Sequence, residues 1–213
     1  MSPVNKLKLY YLPLSNSLFI RIVLEQGGFE NVEYSKLTQK EDGTIYLEDG
    51  SKYTDVNPKG WIPTLVINDK DVLTEAVVVA QYLVSLRPEK YFFPQEGLAK
   101  YKAMALLNFL TTEIQKGIMV AKKPFADEKV KNWVADDIAK RYQYLEDILS
   151  SQDFLLGDQF SIADAYAYNT TRWIGLCGLD INRFPNMVNW QKRIEKLDFV
   201  QRAIKNEGLE PIY

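Results

Sequence analysis

One change of hydrophobic periodicity, at the stretch RPEKYFFPQEG (87–97), constrains the architecture of this chain more than any other feature of its sequence. Up to about Leu86, short strand-like runs interleave with helical ones. KLKLYYL reads as a strand, Ser17 to Gln26 as a helix, VEYSKL as a second strand, TLVIND as a third, DVLT as a fourth and EAVVVAQYLVSL as a helix. NDKD (68–71) has the turn chemistry of a hairpin between the third and fourth strands. Beyond residue 97 apolar residues recur at three- and four-residue spacing through long runs, and no strand is read there. The expected fold class is α/β followed by all-α. Its first domain covers residues 1–86, a linker covers 87–97 and an all-helical domain covers 98–213.

Within the helical half, LAKYKAMALLNFLTTEIQKGIMVA and EKVKNWVADDIAKRYQYLEDILSS are expected to pair antiparallel. In QFSIADAY, Ser161 and Asp164 stand as N-cap and third helical residue, so each side chain can take a backbone N–H of the other's turn. Pro185 is placed near the first position of a further helix, and DFVQRAIKNEGL supplies the last.

Composition narrows the function by exclusion. A net charge of −2 over 213 residues lacks the concentrated basic field that a nucleic-acid surface needs. The chain has no histidine, which removes the commonest general base and metal ligand and rules out a Ser-His-Asp triad; no metal site is expected. Its one cysteine, Cys177, lies in the apolar stretch WIGLCGLD and is read as a packing residue in a reducing compartment. With no signal-like start and no apolar run of membrane-spanning length, the expected location is cytoplasmic, with no membrane partner.

Five stretches, in order, carry a resemblance that covers nearly the whole chain: KLKLYYLPLSNSL, VNPKGWIPTLV, VLTEAVVVAQYL, LNFLTTEIQKG and GDQFSIADAY. They are similar to the catalytic loop, the glycine-proline turn, the ligand-anchoring helix, the helical segment facing the site and the capping motif of the cytosolic glutathione transferases, bacterial beta class in particular. The family architecture is a thioredoxin-like domain followed by a helical one, in agreement with the periodicity. The resemblance implies glutathione as co-substrate, a small hydrophobic electrophile or a peroxide to be reduced as second substrate, and a homodimer.

Residue by residue, the resemblance makes Pro63 a cis proline, with the backbone of Ile62 pairing with glutathione. It makes Glu75 and the start of its helix at Ala76 the anchor for the γ-glutamyl group. Lys40 corresponds to the lysine that meets the glycine carboxylate, with Lys36 and Lys52 as alternatives. Asn108 and Glu113 match positions that reach glutathione, Glu113 from a neighbouring subunit. Two departures from the beta-class pattern matter most: Asn16 stands where a cysteine is usual, and Gln115 where a histidine is usual. Both keep hydrogen-bonding capacity and lose titration and nucleophilicity.

A transferase of this kind needs no protein nucleophile, because glutathione brings the thiol and the protein holds it as thiolate. Lowering a thiol pKa by about two units takes roughly 2.7 kcal/mol of preference for the anion. One hydrogen bond to a charged group supplies about 1.5–3 kcal/mol and a helix N-terminus about 0.3–1. The candidate donors are Ser17 first and Tyr11 second, with the Asn16 amide and its backbone N–H as a further candidate. The bland role for Ser17 is helix N-cap, which Ser15 is able to fill instead. Leu14, Trp61, Met119 and Trp173, with Tyr11, are read as walls of an apolar electrophile pocket between the domains. The competing reading is a non-catalytic glutathione-fold module that binds a ligand or a protein.

Overall fold

Alternation in LKLYY sends Leu7 and Leu9 to one face of a strand and Lys8 and Tyr10 to the other, and the computed structural model, which describes residues 6–213, buries apolar groups on both faces. This strand, β1 (Leu7–Tyr11), is central in a four-stranded sheet. It is joined through α1 (Ser17–Gly27) to the parallel β2 (Val32–Lys36). A small hairpin follows, β3 (Thr38–Gln39) and β4 (Ile45–Tyr46), where the sequence was read only as a connection. Then β5 (Thr64–Ile67) runs antiparallel to β1 and β6 (Asp71–Thr74) antiparallel to β5, giving the sheet order β2-β1-β5-β6. The expected turn between β5 and β6 is made by Asn68 and Asp69, both at positive φ. Helix α2 (Ala76–Leu86) closes the series.

Helix α1 is apolar around most of its circumference, and Leu18, Phe19, Ile20, Ile22, Val23 and Leu24 are all buried. Gly28 ends it in the left-handed conformation, returning its N–H to Glu25, while the Arg87 guanidinium donates to the carbonyls of Gly27 and Gly28 at 2.8 and 2.7 Å. On the other face of the sheet, Tyr10, Leu37 and Tyr53 form a second core with Leu12, Ile45, Leu47, Val56, Ile62 and Val66.

The chain divides into two compact units at Arg87/Pro88, at the near end of the expected linker. The first unit also contains Arg202–Glu210, a segment the sequence reading had left with the helical domain. This segment is tied to α1 by Arg202 Nε and Asn206 Nδ2, which donate to the Glu25 carboxylate at 2.9 and 3.1 Å.

The second unit has no β-strand among the described residues and holds α3 (Gly97–Phe109), α4 (Lys116–Val120), α5 (Glu128–Leu149), α6 (Ile162–Thr171) and α7 (Pro185–Glu195); α8 (Asp198–Asn206) runs across the division into the segment just described. Between α3 and α4 the helix opens into a π-turn over Leu110–Gln115. The antiparallel pairing with α5 is visible in its partners. Glu113 meets Arg141 at 3.0 Å, while a Cβ at Gly117 would fall 2.7 Å from the end of the Ile138 side chain, so the helices approach closely there and a larger residue would displace that side chain.

All of α6 is buried, and its start is the capping box expected from the sequence. The Ser161 hydroxyl accepts from the Ala163 N–H at 3.2 Å. The Asp164 carboxylate accepts from the Ser161 N–H and hydroxyl, the Leu155 N–H and the Trp190 indole N–H at 2.6–2.9 Å. Pro185 opens α7 as expected.

Candidate functional site

Register puts three parts of the first unit at one end of the sheet. Tyr10 pairs with Thr64 and Thr64 with Thr74, so the three residues form one row across β1, β5 and β6. Strands about 4.8 Å apart place the outer two roughly 10 Å from each other. Beyond that row lie the Leu12–Ser17 loop, Pro63 and Glu75, and there both α1 and α2 begin. Two helix N-termini with their outward N–H groups therefore share one sheet edge, a setting suited to anionic groups.

The first loop is built by its own side chains. Leu14 takes φ +61, and the Ser15 N–H donates to the Leu12 carbonyl at 3.1 Å. The Ser15 hydroxyl accepts from the Ser17 N–H at 3.1 Å and so satisfies a free N–H at the start of α1, although Asn16 and not Ser15 holds the N-cap position. Ser17 is fully buried. Its hydroxyl donates to the Leu12 carbonyl at 2.9 Å, with the Ser15 hydroxyl at 3.0 Å and a Glu207 carboxylate oxygen at 3.4 Å. A single O–H proton with three oxygens around it is already committed inward, so the expectation that Ser17 presents its hydroxyl to a ligand does not fit this placement. Asn16 occupies the N-cap position of α1, half-buried, and its side chain does not cap the helix.

Tyr10 and Tyr11 point to opposite faces, as strand alternation requires. Tyr10 packs on Tyr53, 6.0 Å between ring centroids. Tyr11 lies beside the buried Arg21, whose guanidinium is 4.7 Å from the Tyr11 ring and 3.7 Å from the Tyr34 ring. Burial pushes the Tyr34 phenol up to about 12, with the Arg21 charge opposing the shift.

The second part is the turn NPKGWIP. Asn57 Nδ2 and the Tyr53 hydroxyl both donate to the Trp61 carbonyl, at 2.8 and 3.0 Å, and both also contact the Thr64 hydroxyl. Gly60 supplies the positive φ of the turn, and Ile62–Pro63 is cis, as the resemblance implied.

At the start of α2, Glu75 is the N-cap at φ +67, and its carbonyl accepts from the N–H groups of Val78 and Val79 at 2.9 Å. Lys59 reaches it from the turn: Nζ lies 2.8 Å from Glu75 Oε1 and 3.0 Å from the Thr74 hydroxyl. The sequence reading missed Lys59. The available signal was its place inside NPKGWIP, two residues before the assigned run Trp61–Pro63.

Lys40 sits at the mouth of the β3–β4 hairpin, exposed, with Nζ 4.2 Å from the Tyr46 ring centroid. Lys36 ends β2 and Lys52 pairs with Tyr46 in an isolated bridge; both are exposed. Leu14 and Trp61 are exposed on the first unit. In the second unit Met119 is half-buried and Trp173 buried.

Asn108, Glu113 and Gln115 lie in and beside the π-turn, a feature that often marks functional positions. Asn108 is exposed, Gln115 is buried, and Glu113 is engaged by Arg141 within its own unit. The turn has a local cause in Thr111 and Thr112, whose hydroxyls donate to the carbonyls four residues back, at 2.9 and 3.1 Å. Among the described residues no cluster of three or more metal-ligating side chains is found, and no helix is long and apolar enough to cross a membrane.

Comparison with known proteins completes the picture. Residues 5–85 match the family model for the glutathione S-transferase N-terminal domain, and residues 109–198 the model for its C-terminal domain. The chain is 32% identical to glutathione S-transferase GstA of Escherichia coli O157:H7, over 96% of this chain and 100% of that protein. It superposes with a TM-score of 0.88 on the crystal structure of a glutathione transferase from Methylococcus capsulatus, at 32% identity, covering 95% of this chain and 98% of that one. The bacterial beta class glutathione S-transferase of Sphingomonas chungbukensis gives a TM-score of 0.87 at 27% identity, over 95% and 100% of the two chains.

Proposed function

Because this chain belongs to the glutathione S-transferase family, we propose that it binds glutathione along the sheet edge of its first unit and holds the thiol as thiolate for attack on a small hydrophobic electrophile. The observation that carries this reading is the row Tyr10–Thr64–Thr74, which brings the starts of α1 and α2 and the cis Ile62–Pro63 bond to one edge. A span of about 10 Å across that row suits an extended tripeptide of roughly 3.3–3.6 Å per residue.

In this reading the γ-glutamyl carboxylate takes the N–H groups at the start of α2, near Ala76, and Glu75 takes the ammonium. Ile62 pairs through its backbone with the middle of the tripeptide. The glycine carboxylate is met by a lysine, Lys40 or Lys59. The thiol then lies at the start of α1, where Asn16 is the donor that the burial of Ser17 leaves best placed, and Tyr11 the next. Leu14 and Trp61, both exposed, contribute apolar surface for the electrophile.

The sulfur lone pair forms a bond to the electrophilic carbon. In substitution a leaving group departs with its electron pair; in conjugate addition the adjacent carbon takes a proton from water. A homodimer fits the large exposed aromatics of the helical unit, Tyr101 on α3 and Trp133 and Tyr144 on α5. A cytoplasmic setting supplies reduced glutathione.

The test is calorimetric titration with glutathione together with turnover of a chlorodinitrobenzene-type electrophile. We expect binding and turnover. Binding without turnover on a broad electrophile panel supports a non-catalytic module, the reading favoured by the inward commitment of Ser17, and no binding removes the site assignment altogether.

A further inference from the structure

We propose that Glu207 is a positioning residue for the thiolate-holding loop, acting through Ser17 and Arg21; the proposal rests on the functional reading above. Glu207 stands 190 residues from Ser17 in the sequence, yet within the first unit one of its carboxylate oxygens is 3.4 Å from the Ser17 hydroxyl. The other is 3.5 Å from Arg21 Nε. Both charged side chains are buried, 3% exposed for Arg21 and 0% for Glu207.

Burying two charges to anchor a chain segment is costly, and an apolar contact of the same volume would serve as well or better. The pair therefore calls for a role that an apolar contact would not fill, and its contacts supply one. Through Ser17 the carboxylate reaches the C-terminal end of the loop, where the Ser17 hydroxyl also holds the Leu12 carbonyl. Through Arg21 it reaches the N-terminal end, because that guanidinium lies against the Tyr11 ring. One carboxylate thus braces both ends of the segment that carries Asn16.

The segment bearing Glu207 is itself fixed on α1 by Arg202 and Asn206 on Glu25, and within the segment the Glu207 N–H donates to the Ala203 carbonyl at 3.1 Å. Residues 202–210 are on this account part of the thiolate site, although nothing in their sequence suggests chemistry.

The experiment measures the pKa of the bound glutathione thiol, from the ultraviolet absorbance of the thiolate against pH, with kcat and the KM for glutathione. It compares the full-length wild type with Glu207→Ala, Glu207→Gln and Ser17→Ala. For Glu207→Ala we expect the thiol pKa to rise by about one unit, a tenfold loss of thiolate at pH well below the pKa. We expect kcat to fall in proportion, while KM changes much less because the Glu75 and Ile62 contacts are untouched. Glu207→Gln keeps an acceptor for Ser17 and should recover part of the loss.

A folded Glu207→Ala protein with unchanged thiol pKa and kcat overturns the proposal. Should that variant not fold, Ser17→Ala decides, since it cuts the link to the loop and leaves the charge pair intact; an unchanged pKa there overturns it equally. A wild type that binds no glutathione overturns the functional reading and this proposal with it, a result distinct from either.

Discussion

Lys59 Nζ lies 2.8 Å from Glu75 Oε1, and Glu75 holds φ at +67° to receive it. Both side chains are more than half exposed, so their ion pair contributes about 0–1 kcal/mol. A non-glycine residue in such a conformation costs about 1–3 kcal/mol. The pair does not offset the strain, as expected if the carboxylate has the ligand-binding role proposed for it.

Replacing Glu75 by glycine should therefore separate stability from binding. Glycine adopts this φ without strain but has more backbone freedom to lose on folding, leaving a net gain of about 1 kcal/mol. Chemical denaturation should show the gain, while glutathione affinity falls tenfold or more in calorimetry. A loss of stability in this variant contradicts the strain argument, and unchanged affinity contradicts the assignment of Glu75.

Asn16→Ala and Ser17→Ala should differ in kind. If Asn16 donates to the thiolate, its loss removes a hydrogen bond to a charged group, about 1.5–3 kcal/mol, and raises the bound thiol pKa by about one to two units. Ser17→Ala leaves a buried carbonyl with one partner fewer and should cost about 1–3 kcal/mol of folding stability, with a smaller pKa change. The opposite ranking of the two thiol pKa values returns the donor role to Ser17.

The strand-helix order of the first half and the helices of the second were legible because each has an unambiguous period: two in LKLYY, three to four in the runs after residue 97. The Ser161–Asp164 box and the NDKD turn were legible because their chemistry is local. What the sequence did not show depends on long-range contact. Ser17 reads as a hydroxyl at a helix start, able to face a ligand, until Glu207 and the Leu12 carbonyl close on it. Arg202–Glu210 looks like the end of a helical domain because its partner, Glu25, is remote in the chain. The π-turn was not read either, because no residue type in LTTEIQ marks it on its own.

Asp164→Ala should be the most destabilising polar substitution in the second unit. It strips four buried donors of their acceptor, from Ser161, Leu155 and Trp190. With about 1–3 kcal/mol for each buried group left unpaired and partial relaxation, a loss of about 3–5 kcal/mol is expected. Urea unfolding measures it, and a loss below 1 kcal/mol would show that the box is dispensable.

Cys177 offers a last test, because its burial separates thiol chemistry from the proposed site. The side chain is 2% exposed, its Sγ donates to the Ile174 carbonyl at 3.2 Å, and burial pushes the thiol pKa up. The neutral thiol is thus favoured by the fold: the associated stability is fully present below the unfolded-state pKa of about 8.5 and is lost as pH rises through the higher folded-state value. The native chain should be silent to a disulfide reagent at pH 7.5 and react promptly in urea. Cys177→Ala should leave the pKa of bound glutathione unchanged. Rapid reaction of the native thiol, or loss of activity in Cys177→Ala at unchanged stability, would instead make this cysteine part of the chemistry and point to disulfide exchange.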